Sequence, residues 1–291
     1  MSSDIMPMTE PRPRRQRSQD SGAADAALLF DEPGPRGRIL IAIGSVVAVI
    51  GIAALAAAVL YRLDLAGQLD YPKWRYFLGQ SVVSQLLEAA GTTLTLGGVA
   101  AVLTFPLGIA LGWLRLLDNR PIKWLVGLWI DAMRAVPMLL LVYFFLLVVP
   151  RFATISDFWK LALPIVMCTS ATTAEVFRSG VRALDRGQTE AAWALGMSSS
   201  LTMRLILAPQ ALRLMLPTLI TQMVTIIKGT TLAYVLAYPE LMYRGSTMIG
   251  QAKIDAHLSV FFQTYVIIAV LYIIVNWSLG ALARYIESRT R

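Results

Sequence analysis

The chain has 291 residues, of which 56% are hydrophobic and 15% charged, and its mean hydropathy is +0.61. Soluble domains average about a quarter charged residues, so an ordinary soluble globule is excluded. A pI near 9.8 invites a nucleic-acid reading, but in the first 38 residues Arg12, Arg14, Arg15, Arg17, Arg36 and Arg38 are balanced by Asp4, Glu10, Asp20, Asp25, Asp31 and Glu32, so a nucleic-acid-binding arm is not expected.

Residues 1–38 are rich in Pro, Ser, Gln and Arg and are expected to form a disordered cytoplasmic tail. Residues 39–61 contain no charge. This run starts too far from the N-terminus, and is too long, for a signal-peptide core of about 7 to 15 residues, so it is expected to stay as an additional N-terminal transmembrane helix. Residues 89–114 and 258–283 are also uncharged. At about 1.5 Å per residue, each run can cross roughly 30 Å of hydrocarbon. Three further runs, 124–150, 158–178 and 212–239, are broken or flanked by single charges. The fold expected is therefore all-α and polytopic transmembrane, with six spans. Trp74, Tyr76 and Phe77 before the second span, and Trp113 and Trp124 around the loop that follows it, suit the aromatic belts of the two interfaces. Gly108 and Gly112 form a Gly-x-x-x-Gly pair that allows another helix to approach closely, within the subunit or between subunits.

Orientation follows from the basic residues, because positively charged loops stay on the cytoplasmic side. With the N-terminus inside, the inner loops hold Arg115, Arg120, Lys123, Arg178, Arg182, Arg186, Arg204, Arg213, Arg284, Arg289 and Arg291. The outer loops hold Arg62, Lys73, Arg75, Arg151, Lys160, Arg244 and Lys253. Both termini are expected in the cytoplasm, and the long loop over 182–209 with them. Within it Glu190, Ala191 and Ala192 lead to Gly196 and, further on, Pro209. Alanine is the best helix former and glycine a favoured residue just past a helix end, so a short helix closed at Gly196 is expected.

Charges inside spans are costly and mark candidate functional residues. Lys228 stands between uncharged stretches, where it could attract a substrate carboxylate beside Thr230 and Thr231, or simply bond backbone carbonyls or snorkel to an interface. Arg134 follows Asp131 by three residues, a spacing for a same-face pair, and could instead meet substrate. Pro137 can open the helix next to it and free carbonyls. Glu175 and Arg178, also three apart, suit a structural pair, a gate or a coupling contact. No phosphate-cradling Gly-x-x-x-x-Gly-Lys-Ser/Thr sequence is present. A lone His257 and a lone Cys168 give no usual metal cluster, so neither catalytic nor metal residues are expected.

The stretch from Glu190 to Pro209 resembles the EAA loop of ABC importer permeases, with Ala208 where that family usually has Leu. Arg134-Ala135-Val136-Pro137 is similar to the Arg-Gly-Thr-Pro step of permeases for polar amino acids of the histidine, glutamine and glutamate type. Ala171-Thr172-Thr173-Ala174-Glu175-Val176-Phe177-Arg178 matches their Ala-x-x-Ala-Glu-x-x-Arg segment, Gly187-Gln188-Thr189-Glu190 their lead-in, and Lys228-Gly229-Thr230-Thr231-Leu232 their Lys-Asp-Thr-Ser-Leu, with Gly229 in place of the acid. The Ala-Val variant and the extra N-terminal helix look most like glutamate-type permeases of actinobacteria.

The resemblance implies a permease domain over 80–286 behind the helix at 39–61, with a five-helix importer core, a coupling loop over 182–209 and a cytoplasmic C-terminus over 287–291. It implies ATP-driven import of a polar amino acid, glutamate first, across the bacterial cytoplasmic membrane. Gly187, Glu190, Ala191, Ala192, Gly196 and Pro209 would couple to cytoplasmic ATPase subunits, which hold the ATP and magnesium. Arg134, Pro137, Glu175, Lys228, Thr230 and Thr231 would line the substrate pathway. A second permease subunit and an extracytoplasmic amino-acid-binding protein complete the expected assembly in the lipid bilayer. Two other readings stay open: an ion-coupled secondary transporter, and a membrane scaffold or channel subunit that does not transport.

Overall fold

The computed structural model describes residues 34–290, with side chains up to Leu282 and at Arg284 and Tyr285. Of the tail expected over 1–38, residues 1–33 lie outside the described residues, as does the last residue of the chain, and residues 35–38 are helical. Among the described residues all regular structure is helical. The chain forms two compact units, divided between Ala66 and Gly67.

Helix α1, Pro35–Leu65, belongs to the first unit and starts four residues ahead of the uncharged run. Pro35 suits that start, since its fixed φ is helical and its missing N–H has no partner to lose there. The helix is apolar on every side, as a lipid-facing span is.

The second unit is built on α2, Gln80–Leu114, α3, Arg120–Ala135, α4, Met138–Leu147, and α5, Asp157–Arg182. It continues through α6, Arg186–Ala194, α7, Ala208–Gly229, α8, Leu241–Asp255, and α9, Phe261–Thr290. Helix α5 is the hub. Along it α2 runs parallel, meeting it at small residues: Thr104 Oγ1 lies 2.8 Å from Thr169 Oγ1, and a Cβ on Gly108 would fall 2.5 Å from Thr173 Cβ and 2.9 Å from the Ser170 carbonyl oxygen. One turn further, a Cβ on Gly112 would lie 2.6 Å from the Ala174 carbonyl oxygen. The Gly-x-x-x-Gly pair is therefore spent on packing inside this subunit, which answers one alternative left open by the sequence.

Among the described residues four helices are long and apolar enough to cross a membrane: Pro35–Leu65, Gln80–Leu114, Ser199–Leu236 and Phe261–Leu282. A fifth exists if Arg120–Ala135 and Met138–Arg151, bent by 96° at their junction, count as one span. Five of the six spans expected coincide with these, and the sixth, over 158–178, falls in α5. Helix α5 is long enough at 26 residues, but Asp157, Lys160, Glu175, Arg178 and Arg182 dilute its apolar character, and its middle is buried against other helices instead of facing lipid.

The bend separates two roles. Helix α4 packs along the first half of α5, Met138 near Ile165 and Val166 and Val142 near Leu161 and Ala162. Helix α3 lies across α5 near the arginine-rich end, its Ile130 buried with Ala171 and Ala174. Val136 and Pro137 between them are extended, because Pro137 cannot donate to a helix and biases the preceding residue away from helical angles. At the far end of the unit Glu240 caps α8: its carboxylate accepts from the Met242 and Tyr243 amides at 2.9 Å each and from the Tyr272 hydroxyl at 2.7 Å. That fully buried node ties α8 to α9.

Candidate functional site

Between α5 and α7 the chain makes the short helix α6, as the pattern from Glu190 to Gly196 predicts. Asp185 caps its start, Oδ1 accepting from the Gly187 amide at 2.8 Å. Its end is closed by Gly196 at φ +75, with the Gly196 amide on the Trp193 carbonyl at 2.9 Å and the Met197 amide on the Ala192 carbonyl at 3.0 Å. This left-handed stop is the conformation glycine adopts without strain. Glu190, Ala191, Trp193 and Leu195 are exposed on α6 and its stop, whereas Ala192 is buried. Only one of the two alanines expected to meet a partner can therefore do so; Ala192 seats the helix on its own subunit.

The return to α7 runs through a helical turn, Ser199–Thr202, capped by Ser198, and a π-helical turn, Met203–Leu207. The widened turn falls just before Pro209, which has no N–H and whose ring crowds the carbonyl four residues back. Ala208 is buried in a cluster with Phe177, Ala211 and Met215, so the departure from the usual leucine is absorbed by packing. Gln210 Nε2 donates to Gln188 Oε1 at 3.3 Å, tying α7 back to α6.

A second group of residues gathers where α2, α3 and α5 meet. Arg115 Nη1 and Nη2 donate to Asp131 Oδ1 and Oδ2 at 3.2 and 3.1 Å, and Nη1 also donates to Glu175 Oε2 at 3.0 Å. Arg178 donates to Glu175 through Nε at 3.0 Å and through Nη2. Glu175 and Arg178 pair as their spacing predicts. Asp131 does not pair with Arg134: a bidentate tertiary partner outcompetes a neighbour one turn away, because the planar guanidinium fits both carboxylate oxygens at once. Arg134 stays exposed and lines a cavity of about 400 Å³ with Thr172, Glu175, Ser179, Leu214 and Thr218.

Lys228 is exposed at the end of α7, where the helix gives way to a 3₁₀ stretch, Thr230–Leu236. Thr230 is buried and donates to the Ile227 carbonyl at 2.7 Å; Thr231 donates to the Lys228 carbonyl at 2.8 Å. Both hydroxyl protons are thus committed to the backbone, while Lys228 makes no ion pair among the described residues. Gly229 approaches α4, where a Cβ would lie 3.3 Å from Met138 Sδ.

Sequence reasoning missed a polar stripe. Thr218, Thr221, Thr225 and Lys228 are exposed, and with half-buried Gln222 they recur at helical spacing along one face of α7. Two of the hydroxyls, Thr221 and Thr225, bond back to the helix, and Gln222 Oε1 is buried without a protein partner. The three-and-four spacing was legible; attention to charge alone passed over it. Arg115 and Glu240 were also missed, and no local pattern singles them out. Among the described residues no group of three metal-ligating side chains occurs.

A family profile described as a binding-protein-dependent transport system inner membrane component matches residues 104–291. The glutamate transport system permease protein GluD of Corynebacterium glutamicum is 34% identical over 230 residues, covering 77% of this chain and 82% of the relative. The probable glutamine ABC transporter permease protein GlnP of Bacillus subtilis is 33% identical, covering 68% of this chain and 89% of the relative. Among solved structures, an amino acid ABC transporter with histidines matches with a TM-score of 0.64 at 24% identity, over 72% of this chain and 95% of that one. The MetNI methionine ABC transporter in an inward-facing conformation matches with a TM-score of 0.61 at 15% identity, over 73% and 99%. These two likenesses establish the fold. The chain is a multi-pass membrane protein and belongs to the family of binding-protein-dependent transport system inner membrane components.

Proposed function

We propose that this permease subunit imports a polar amino acid, glutamate first, driven by ATP hydrolysis in separate ATPase subunits. The observation that carries the reading is α6 with its glycine stop: a capped helix offering Glu190, Ala191, Trp193 and Leu195 to a partner from the arginine-rich side of the molecule. Both termini and that side face the cytoplasm, as basic flanks require. The polar stripe of α7 and the exposed Arg134 face a second permease subunit, and substrate passes between the two. An extracytoplasmic binding protein delivers it at the opposite end, near Arg151 and Arg244. ATP and magnesium act in the ATPases alone.

Lys228 supports the choice of an acidic cargo. An ammonium at the end of a polar stripe, with no ion pair among the described residues, attracts carboxylate. The relative named for glutamate agrees with that class. Reconstitution of the chain with its partner permease, ATPase and binding protein in proteoliposomes, offered a panel of labelled amino acids, tests the reading. Glutamate uptake that needs ATP is expected; uptake driven by an ion gradient without ATP overturns it in favour of a secondary transporter.

A further inference from the structure

Arg115 stands one residue beyond α2, and two other helices hold its guanidinium at once. It grips both oxygens of Asp131 on α3 and one oxygen of Glu175 on α5, at 3.0 to 3.2 Å. On α3 the guanidinium lies against Gly127, where a Cβ would be in ordinary contact with Arg115 Nε at 3.6 Å. Each partner sits at a telling place. Glu175 lies in the last two turns of α5, which passes through residues 183–185 into α6. Asp131 lies one turn before Arg134, which lines the cavity beside α7, and the non-helical step at Val136 and Pro137 follows directly.

We propose that Arg115 is a positioning residue that makes α3 follow the end of α5, so that a pull on α6 reaches the break at Val136 and Pro137. The proposal rests on the importer reading given above. Displacement of α6 moves the end of α5 directly, because only three residues join them. Glu175 then carries the Arg115 fork, and the fork carries Asp131, whose two oxygens fix the orientation of α3 as well as its distance. Apolar contact supplies adhesion without that orientation: Ile130 is buried against Ala171 and Ala174 and keeps α3 on α5 when the ions are removed. Glu175 keeps Arg178 as a partner, so loss of Arg115 leaves no buried carboxylate unpaired. The fork is thus dispensable for folding and specific for transmission.

Physical intermediacy alone does not establish coupling, so the test measures it. In the reconstituted complex, amino-acid uptake per ATP hydrolysed is compared with the rate of hydrolysis and with thermal stability. Arg115→Met is expected to lower uptake per ATP at least tenfold while hydrolysis stays within twofold and stability is kept. Asp131→Asn, which spares the bond to Glu175, is expected to lower it severalfold. The double variant is expected to fall no further than Arg115→Met, since both changes cut one link. An unchanged ratio in Arg115→Met, a parallel fall of uptake and hydrolysis, or additive effects in the double variant overturns the proposal and leaves the importer reading standing. Absence of ATP-driven uptake in the unsubstituted complex overturns that reading and the proposal with it.

Discussion

Ala191 and Ala192 are neighbours with opposite fates, and the contrast makes them the sharpest single-residue probes of the coupling segment. Ala192 is buried, so Ala192→Trp overpacks the seat of α6 and is expected to cost about 1 to 3 kcal/mol, read as a lower unfolding midpoint in detergent. Ala191 is exposed and makes no such demand. If the proposed contact with a substrate carboxylate holds, Lys228→Met is expected to remove about 1.5 to 3 kcal/mol, roughly tenfold to a hundredfold in apparent glutamate affinity. Transport kinetics that show unchanged affinity would separate Lys228 from substrate. The sequence makes Lys228 conspicuous because charge in an apolar run is rare. It misassigns Asp131, because a spacing of three says which residues share a helix face and nothing of a guanidinium arriving from another helix.

At the scale of elements, α2 and α5 owe their close parallel contact to Gly108 and Gly112. Gly108→Leu would drive side-chain atoms into Thr173 and the Ser170 carbonyl, neither of which can retreat without moving α5. A loss of several degrees in unfolding midpoint is expected, and an unaltered midpoint would contradict the contact. The stop of α6 behaves differently. A Cβ on Gly196 meets open space, so Gly196→Ala costs only the left-handed strain of about 1 to 2 kcal/mol, localised at the stop and visible as faster amide exchange over 193–197. Long uncharged runs such as 258–283 were legible because a bilayer imposes one length and one composition. The bend between α3 and α4 was not, since Pro137 announces a break but not its angle of 96°. Helix α5 was legible as a helix and poorly as a span, because tertiary burial replaces lipid as its solvent.

At the scale of the whole molecule, the second unit places its two functional surfaces at different ends of the same helices. Helix α7 begins beside α6 through the Gln188 and Gln210 bond and carries Lys228 in its last turn, so one helix joins the segment proposed to receive work to the residue proposed to meet cargo. Helix α5 does the same from the other side, through Glu175. A polar stripe and an exposed arginine on an apolar subunit require either a partner surface or water, and the proposed second permease would supply the former. In the proposed importer α6 transmits work from an ATPase. The most direct test of this role is Ala191→Trp in the reconstituted complex, measured as ATP-driven uptake alongside unfolding midpoint. Loss of uptake at an unchanged midpoint is predicted; uptake at the unsubstituted rate would contradict a docking role for α6.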